Sequence, residues 1–209
     1  MAYGFLDIAT TPSIQAVQAR MGVDQFWRDF KGHREFDRFG ERELAHIAER
    51  ESFYMATVSE TGWPYVQHRG GPRGFLKAVD DRTLAFADYR GNRQYISTGN
   101  LAANGRACLF LMDYARRARL KIYAHVDILA IDEDPGLTER VSTPAYQAHP
   151  ERIFRLRLAS FDWNCSQHIT PRFTEQEISE AVRPLQERLA QLEAENAELR
   201  AGRPETSRS

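Results

Sequence analysis

Between residues 52 and 161 apolar and polar positions alternate with a period of two in several runs, and on either side of that span the spacing becomes helical. Ser52 to Ser59 (SFYMATVS) is rich in β-branched and aromatic residues. Glu60-Thr61-Gly62 is a turn, and Trp63 to His68 (WPYVQH) resumes extended structure, so the pair predicts a hairpin. Gly74 to Val79 and Thr83 to Ala87 predict a second one around the polar turn Asp80-Asp81-Arg82. Arg106 to Asp113 and Arg119 to Ile131 are two further strands joined by the basic turn Tyr114 to Ala118, and Ile153 to Phe161 (IFRLRLASF) alternates as a last strand should. Pro64 removes one ladder donor, which places that strand's start at an edge or a bulge. The run Gly70-Gly71-Pro72-Arg73-Gly74 cannot continue a regular strand; a barrel corner and a bulge hugging a ligand would both use it. Five or six strands linked by short hairpins imply antiparallel pairing and a small barrel rather than a βαβ sheet.

The helical spacings frame this barrel. Ser13 to Phe30 carries a weak apolar stripe (Ile14, Val17, Met21, Phe26-Trp27) that fits one or two short helices, and Glu41 to Glu51 places Leu44, Ile47 and Ala48 on one face. Asn92 is placed to cap a helix from Arg93 to about Ala103, closed by Asn104-Gly105. Leu137 to Ala148 reads as a short helix and a loop. Thr174 with Glu177 has capping-box spacing at the start of a C-terminal helix, which Pro184 is expected to end so that a second helix opens there. Along the tail from Val182 to Arg200, Val182, Leu189 and Asn196 recur every seven residues, as do Leu185, Leu192 and Leu199, the a and d positions of a heptad repeat spanning about two and a half heptads. The expected domain plan is a barrel with N-terminal helices over 1–173, a helical coiled-coil extension over 174–200 and a disordered tail over 201–209.

Composition narrows the function. The 209 residues suit one domain with appendages, and 28 basic against 29 acidic residues leave a net charge of -1, with no global field to recruit nucleic acid or an anionic membrane. No apolar run approaches the roughly 20 residues of a membrane span, and the start MAYGFLDIATTPSIQ lacks a basic region followed by an apolar core, so a cytoplasmic protein is expected. Cys108 and Cys165 belong to no metal-ligand spacing. Cys108 lies in an apolar run where a buried thiol is the default. Cys165 and His168 share the polar segment Asp162 to His168, which is either a loop packed on the barrel or the wall of a pocket holding a thiol and an imidazole.

The chemistry concentrates between Arg69 and Asn104. Arg93 in the first turn of the expected helix, with Arg90 just before it, opposes the helix dipole unless an anion sits there, and a phosphate is the usual such anion. The stretch Phe86 to Gln94 (FADYRGNRQ), with Lys77 nine positions before Phe86, resembles the FMN site of the split barrels related to pyridoxamine 5'-phosphate oxidase. That resemblance covers roughly Phe53 to Phe161. It implies a predominantly β fold with α elements, an antiparallel split barrel that binds FMN between the subunits of a homodimer. It also implies that Lys77 approaches the flavin, that Ala87 and Asp88 offer backbone groups beside it, that Arg93 and Gln94 meet its phosphate, and that Arg119 makes a polar contact. The family's oxidase has an Arg five residues before the Lys; position 72 here is Pro, so Arg69 or Arg73 takes that place or the contact is missing. The oxidase's C-terminal substrate-phosphate pattern is not recognisable between Trp163 and Arg172.

These readings converge on an FMN-dependent oxidoreductase acting on a small-molecule substrate or a reduced nicotinamide. Lys77, and after it Arg69 or Arg73, would stabilise the negative charge of the reduced flavin; Trp163 would cover the ring at the pocket rim and His168 would donate protons. Two alternatives stay open: a flavin- or haem-binding carrier or sensor without turnover, and a reductase using a deazaflavin.

Overall fold

The computed structural model describes residues 4–28, 37–163 and 166–201, in two compact units, Met1–Ile169 and Thr170–Ser209. The first unit begins with three short helices, α1 (Phe5–Ala9), α2 (Pro12–Arg20) and α3 (Asp24–Arg28), and then α4 (Glu41–Ala48). Strands β1 (Ser52–Val58), β2 (Pro64–Gly70), β3 (Lys77–Ala78) and β4 (Thr83–Tyr89) follow. After α5 (Ile96–Ala103) come β5 (Arg106–Asp113), β6 (Ala118–Leu129), α6 (Pro135–Val141) and β7 (Pro150–Trp163). The second unit holds α7 (Glu175–Ala201).

All seven strands of these residues form one antiparallel sheet in the order β2-β1-β5-β6-β7-β4-β3. The pattern predicts five or six; β3 survives as a two-residue strand from the run Gly74 to Val79. In sheet order β1 and β4 are separated by three strands, yet the Phe53 ring of β1 lies 5.3 Å from the Phe86 ring of β4, and Phe86 stacks 5.1 Å from Phe154 of β7. The sheet therefore bends back on itself around its aromatic residues. Because β2 and β3 stay as edges, the result is a split barrel rather than a closed one.

The inner face carries Phe53, Met55, Leu84, Phe86, Leu109, Leu111, Leu120, Ile122, Phe154 and Leu156, all essentially inaccessible to water. Burying such residues at roughly 25 cal/mol per Å² is the main stabilising term. Strand β4 is buried on both faces: Ala85 and Ala87 point the other way, into a smaller cluster with Leu137 and Val141 of α6 and Ile153. This double burial explains why Leu84-Ala85-Phe86-Ala87 reads as a continuous apolar run.

The glycine-rich bend after β2 is a corner. Gly74 has φ of +72°, its N–H donates to the Arg50 carbonyl at 2.8 Å, and a Cβ there would lie 2.8 Å from the Ala48 carbonyl oxygen. Arg50 ties this corner to the β5–β6 turn, donating to the Met112 carbonyl (3.0 Å) and to Asp113 (2.9 Å).

Three expected helix boundaries move. Helix α5 starts at Ile96 rather than Arg93, because Arg93 (φ 59°) and Tyr95 (φ 51°) are left-handed and the chain turns twice before the helix begins. The Asn92 side chain makes a local turn instead of a cap, accepting from the Gln94 N–H at 3.1 Å. Helix α6 starts earlier, at Pro135, with Asp134 accepting from the Leu137 N–H at 2.9 Å. In α7 the capping box forms as predicted: the Thr174 hydroxyl accepts from the Glu177 N–H, and the Glu177 carboxylate accepts from the Thr174 N–H. The helix then runs through Pro184 without ending. Phe30, Cys165 and the tail beyond Ala201 lie outside the described residues.

Two stability predictions follow from this geometry. Gly74→Ala forces a Cβ into a left-handed residue and against a carbonyl oxygen, so it should cost about 2 kcal/mol or more in urea unfolding. His46 is buried, its ring edge-on to Trp163 at 4.9 Å, and its Nε2 has no partner among the described residues. Burial holds its pKa below the ordinary 6.5, and Arg50 adds to that. The unfolded chain thus takes up the proton first, so stability present above pH 6.5 is lost as pH falls below it. Melting temperatures should drop between about pH 7 and pH 5.5, ahead of carboxylate titration, and His46→Gln should flatten that drop. Equal slopes for the two proteins would place the pH dependence elsewhere.

Candidate functional site

Strand alternation decides what enters the barrel mouth. In β2, Arg69, Gln67 and Tyr65 pair with Phe53, Met55 and Thr57, so they share the inner face; in β4, Asp88 shares it with Leu84 and Phe86. Arg69 donates to Asp88 across the open side of the barrel, and its guanidinium lies 5.2 Å above Phe154 and 5.9 Å from Phe86. Asp88 is 5% exposed. Burial raises its carboxyl pKa, and the charges of Arg69 and Arg152 oppose that rise.

Arg152 reaches the same place from β7, where it is the register partner of Asp88, 3.7 Å from its carboxylate. It also donates to the Thr98 hydroxyl (3.0 Å) and to Glu151 (2.9 Å), and it stacks on the Tyr95 ring at 4.6 Å. Glu151 in turn accepts from Arg90 at 3.0 Å and from the Tyr95 hydroxyl at 3.2 Å. The Arg90 hydrogen bond is the main reason its pKa is lowered.

Between these groups lies a cavity of about 190 Å³, walled by the inner face of β2, the end of β4, the loop through Arg93 and Gln94, and the first turn of α5. The start of α5 has no side-chain cap, so its first amides are left for another acceptor. Ser97 donates to Gln67 at 2.8 Å, which fixes the helix start against β2. Four arginines (69, 90, 93 and 152) stand in or beside the cavity against two carboxylates (Asp88 and Glu151), so it carries excess positive charge although the chain has a net charge of -1. The Nε of Arg69, buried in the wall, has no partner among the described residues.

Of the sequence-predicted residues, the structure gathers Arg69, Asp88, Arg93 and Gln94 around this cavity. Ala87 precedes Asp88 but does not line the cavity, and its side chain packs in the outer cluster. Asp88, expected to offer its backbone, commits its carboxylate to arginines. The remaining candidates lie elsewhere in the chain. Lys77 pairs with Ala85 and so takes the face of β4 opposite Asp88. Arg73 is exposed, 3.8 Å from Glu49 at the glycine corner. Arg119 lies on the outer side of β6 from Leu120. Trp163 packs on α4, donating to Glu43 at 2.5 Å with Arg42 stacked 4.2 Å from its ring. His168 is exposed, with φ of +61°.

Sequence reasoning missed Gln67, Tyr95, Ser97, Glu151 and Arg152. Arg152 had a signal: it has the parity of Phe154 and Leu156, and extending the last strand three residues towards its start places it inside.

Among the described residues no helix is long and apolar enough to cross a membrane. The chain is similar in fold to a HupZ protein of Group A Streptococcus (13% identity over 65% of this chain and 100% of that one, TM-score 0.49) and to an FMN-binding protein of Syntrophomonas wolfei subsp. wolfei (14%, 70% and 97%, TM-score 0.42). A putative pyridoxamine 5'-phosphate oxidase of Lactobacillus delbrueckii is similar at 17% identity over 60% of this chain and 94% of that one, with a TM-score of 0.46. No curated protein matches the chain. The sequence profile described as pyridoxamine 5'-phosphate oxidase matches residues 40–160, more than half of the chain and the whole span from the start of α4 through most of β7. The chain belongs to the pyridoxamine 5'-phosphate oxidase family.

Proposed function

We propose that the protein is an FMN-dependent oxidoreductase that binds the flavin phosphate in the cavity at the barrel mouth. The observation that carries this reading is one cavity lined by Arg69, Arg93 and an uncapped helix start, its two carboxylates Asp88 and Glu151 held by Arg152 and Arg90 behind them, in a chain with no net positive charge. The donor set fits FMN: Arg93 and the first amides of α5 suit a phosphate, while Gln67, Ser97 and Thr98 offer neutral partners for the hydroxyls of a ribityl chain. When bound, FMN supplies two-electron transfer between a small-molecule substrate or reduced nicotinamide and an acceptor. The chain's own part would be to hold the phosphate and to keep Arg69 and Arg152 fixed by Asp88 so that positive charge stays at the cavity wall.

A cavity of about 190 Å³ is smaller than the roughly 300–1,000 Å³ of sites that enclose a whole ligand. Under this reading it takes the phosphate end, and a second copy supplies the remaining wall, making a homodimer with flavin at the subunit interface. The outer side of β1 and β2 leaves Tyr54, Val58 and Val66 exposed, an apolar surface suited to such a contact. Lys77, Arg119, Trp163 and His168 reach a flavin only where that second copy brings them to it. One observation favours a carrier without turnover: both carboxylates of the cavity are committed to arginines, and His168 stands outside it.

The purified protein should show oxidised-flavin absorbance, or acquire it on adding FMN, and release FMN on denaturation. A colourless protein that takes up no FMN would sink the proposal. Anaerobic stopped-flow mixing with NADH, NADPH and a substrate panel should bleach the flavin, whereas a flavin that none of them reduces marks a carrier. Arg93→Ala should weaken FMN binding about ten- to a hundredfold, roughly 1.5–3 kcal/mol for a charge-assisted hydrogen bond to phosphate. An unchanged dissociation constant, read by fluorescence titration, would put the phosphate elsewhere.

A further inference from the structure

Helix α7 is 27 residues long, about 40 Å, and buries none of its side chains in the chain. Its apolar residues nevertheless form one stripe. Ile178, Leu185, Leu192 and Leu199 recur every seven residues, and Val182 and Leu189 occupy the alternate positions three before Leu185 and Leu192. Leu185 and Leu199 are 70% and 75% exposed, and Ile178 and Leu189 are more than half exposed. Continuity through Pro184 matters here, because it joins Ile178 to the seam and lengthens it to about three heptads, Ile178 to Leu199. Pro184 falls at position c, on the outward side, together with Arg183, Glu187, Ala190, Gln191, Ala194 and Glu198 at b, c and f.

We propose that α7 pairs with α7 of a second copy of this chain as a parallel two-stranded coiled coil. Charge selects that occupant. Arg188 at g faces Glu193 at e of the second copy, and Glu195 at g faces Arg200 at e, so each such pair is of opposite sign and each occurs twice by symmetry. Asn196 selects the direction. At an a position of a parallel pair it meets the same residue of the second copy and the two amides bond, while in an antiparallel pair it would face an apolar d residue and leave its amide unpaired in the seam. Val182 at a with leucine at d favours two strands over three. The inference is independent of the flavin: it rests on α7 alone.

The test uses the full chain in two ways. Sedimentation equilibrium should show Arg188→Glu weakening self-association about tenfold, since two attractive pairs become repulsive, and Arg188→Glu with Glu193→Arg restoring it. Mild oxidation should join Asn196→Cys chains into disulfide-linked pairs above the background of the unmodified protein, and should leave Ala194→Cys, on the outward side, unlinked. A chain that stays monomeric, a charge reversal without effect, or equal linking at 194 and 196 would each overturn the pairing; a helix folded back on its own barrel gives the second result, whether or not the barrels associate.

Discussion

The ion pair between Arg69 and Asp88 is the constraint on which the barrel mouth depends. A sheet of seven strands in this order has two free edges, and nothing in backbone hydrogen bonding joins β2 to β4. The two side chains do, from inner-face positions on strands with four others between them in sheet order. Taking both charges out of water costs several kcal/mol per ion, which their attraction offsets only where further partners are present. Here Arg152 is the second cation on Asp88, and the Phe86 and Phe154 rings lie beneath the Arg69 guanidinium. Remove Asp88 and Arg69 is left buried without a counter-charge; remove Arg69 and Asp88 keeps only Arg152, 3.7 Å away. The same pair that links β2 to β4 at the open side also places the Arg69 guanidinium in the cavity wall, so the closure of the barrel and the charge of the cavity rest on shared residues.

The helix start beside it obeys a related logic. Arg93 and Tyr95 both take left-handed backbone conformations, which cost non-glycine residues about 1 kcal/mol or more each. Strain of this kind persists where surrounding contacts over-determine it. Tyr95 is held by Arg152 stacking on its ring and by its hydroxyl on Glu151, and Gln94 by the Asn92 side chain. The loop is therefore shaped by side chains from β7, 56 residues away in sequence at Tyr95 and Glu151.

That long-range dependence marks the limit of what the sequence made legible. Strands β1, β2, β5 and β7 were readable because each combines alternation with β-branched or aromatic residues and, for the hairpins, a short polar turn. Asp88, Arg93 and Gln94 were readable as candidates because they flank Gly91-Asn92 in the stretch that carries the family resemblance, and Arg69 only as one of two substitutes for an arginine absent at position 72. The start of α5 was not, because an Asn followed by a basic residue fits both a cap and a local turn, and only the contacts from β7 decide between them. Arg152 and Glu151 were hidden by the Pro150 that precedes them, which reads as a loop although proline is allowed at the first residue of a strand. Trp163 and His168 looked like pocket residues on composition alone. Yet Trp163 serves the opposite function within the chain, as the indole that closes the α4 end of the core through Glu43, Arg42 and His46.

Pro184 shows the same contest between local rule and extended context. Its ring removes one N–H and disfavours the helical conformation of Arg183, a local penalty of about 3 kcal/mol, which is reason enough to expect a break from the sequence. Against it stand good helix formers on both sides: Glu180, Ala181 and Arg183 before it, and Leu185, Gln186, Glu187 and Arg188 after it. A break would leave two short helices, each paying its own nucleation cost, whereas continuity pays it once. The capping box at Thr174 adds a fixed start. Position then decides the consequence: the proline lies off the leucine stripe, between Arg183 and Leu185, and the stripe continues past it in register from Ile178 to Leu199.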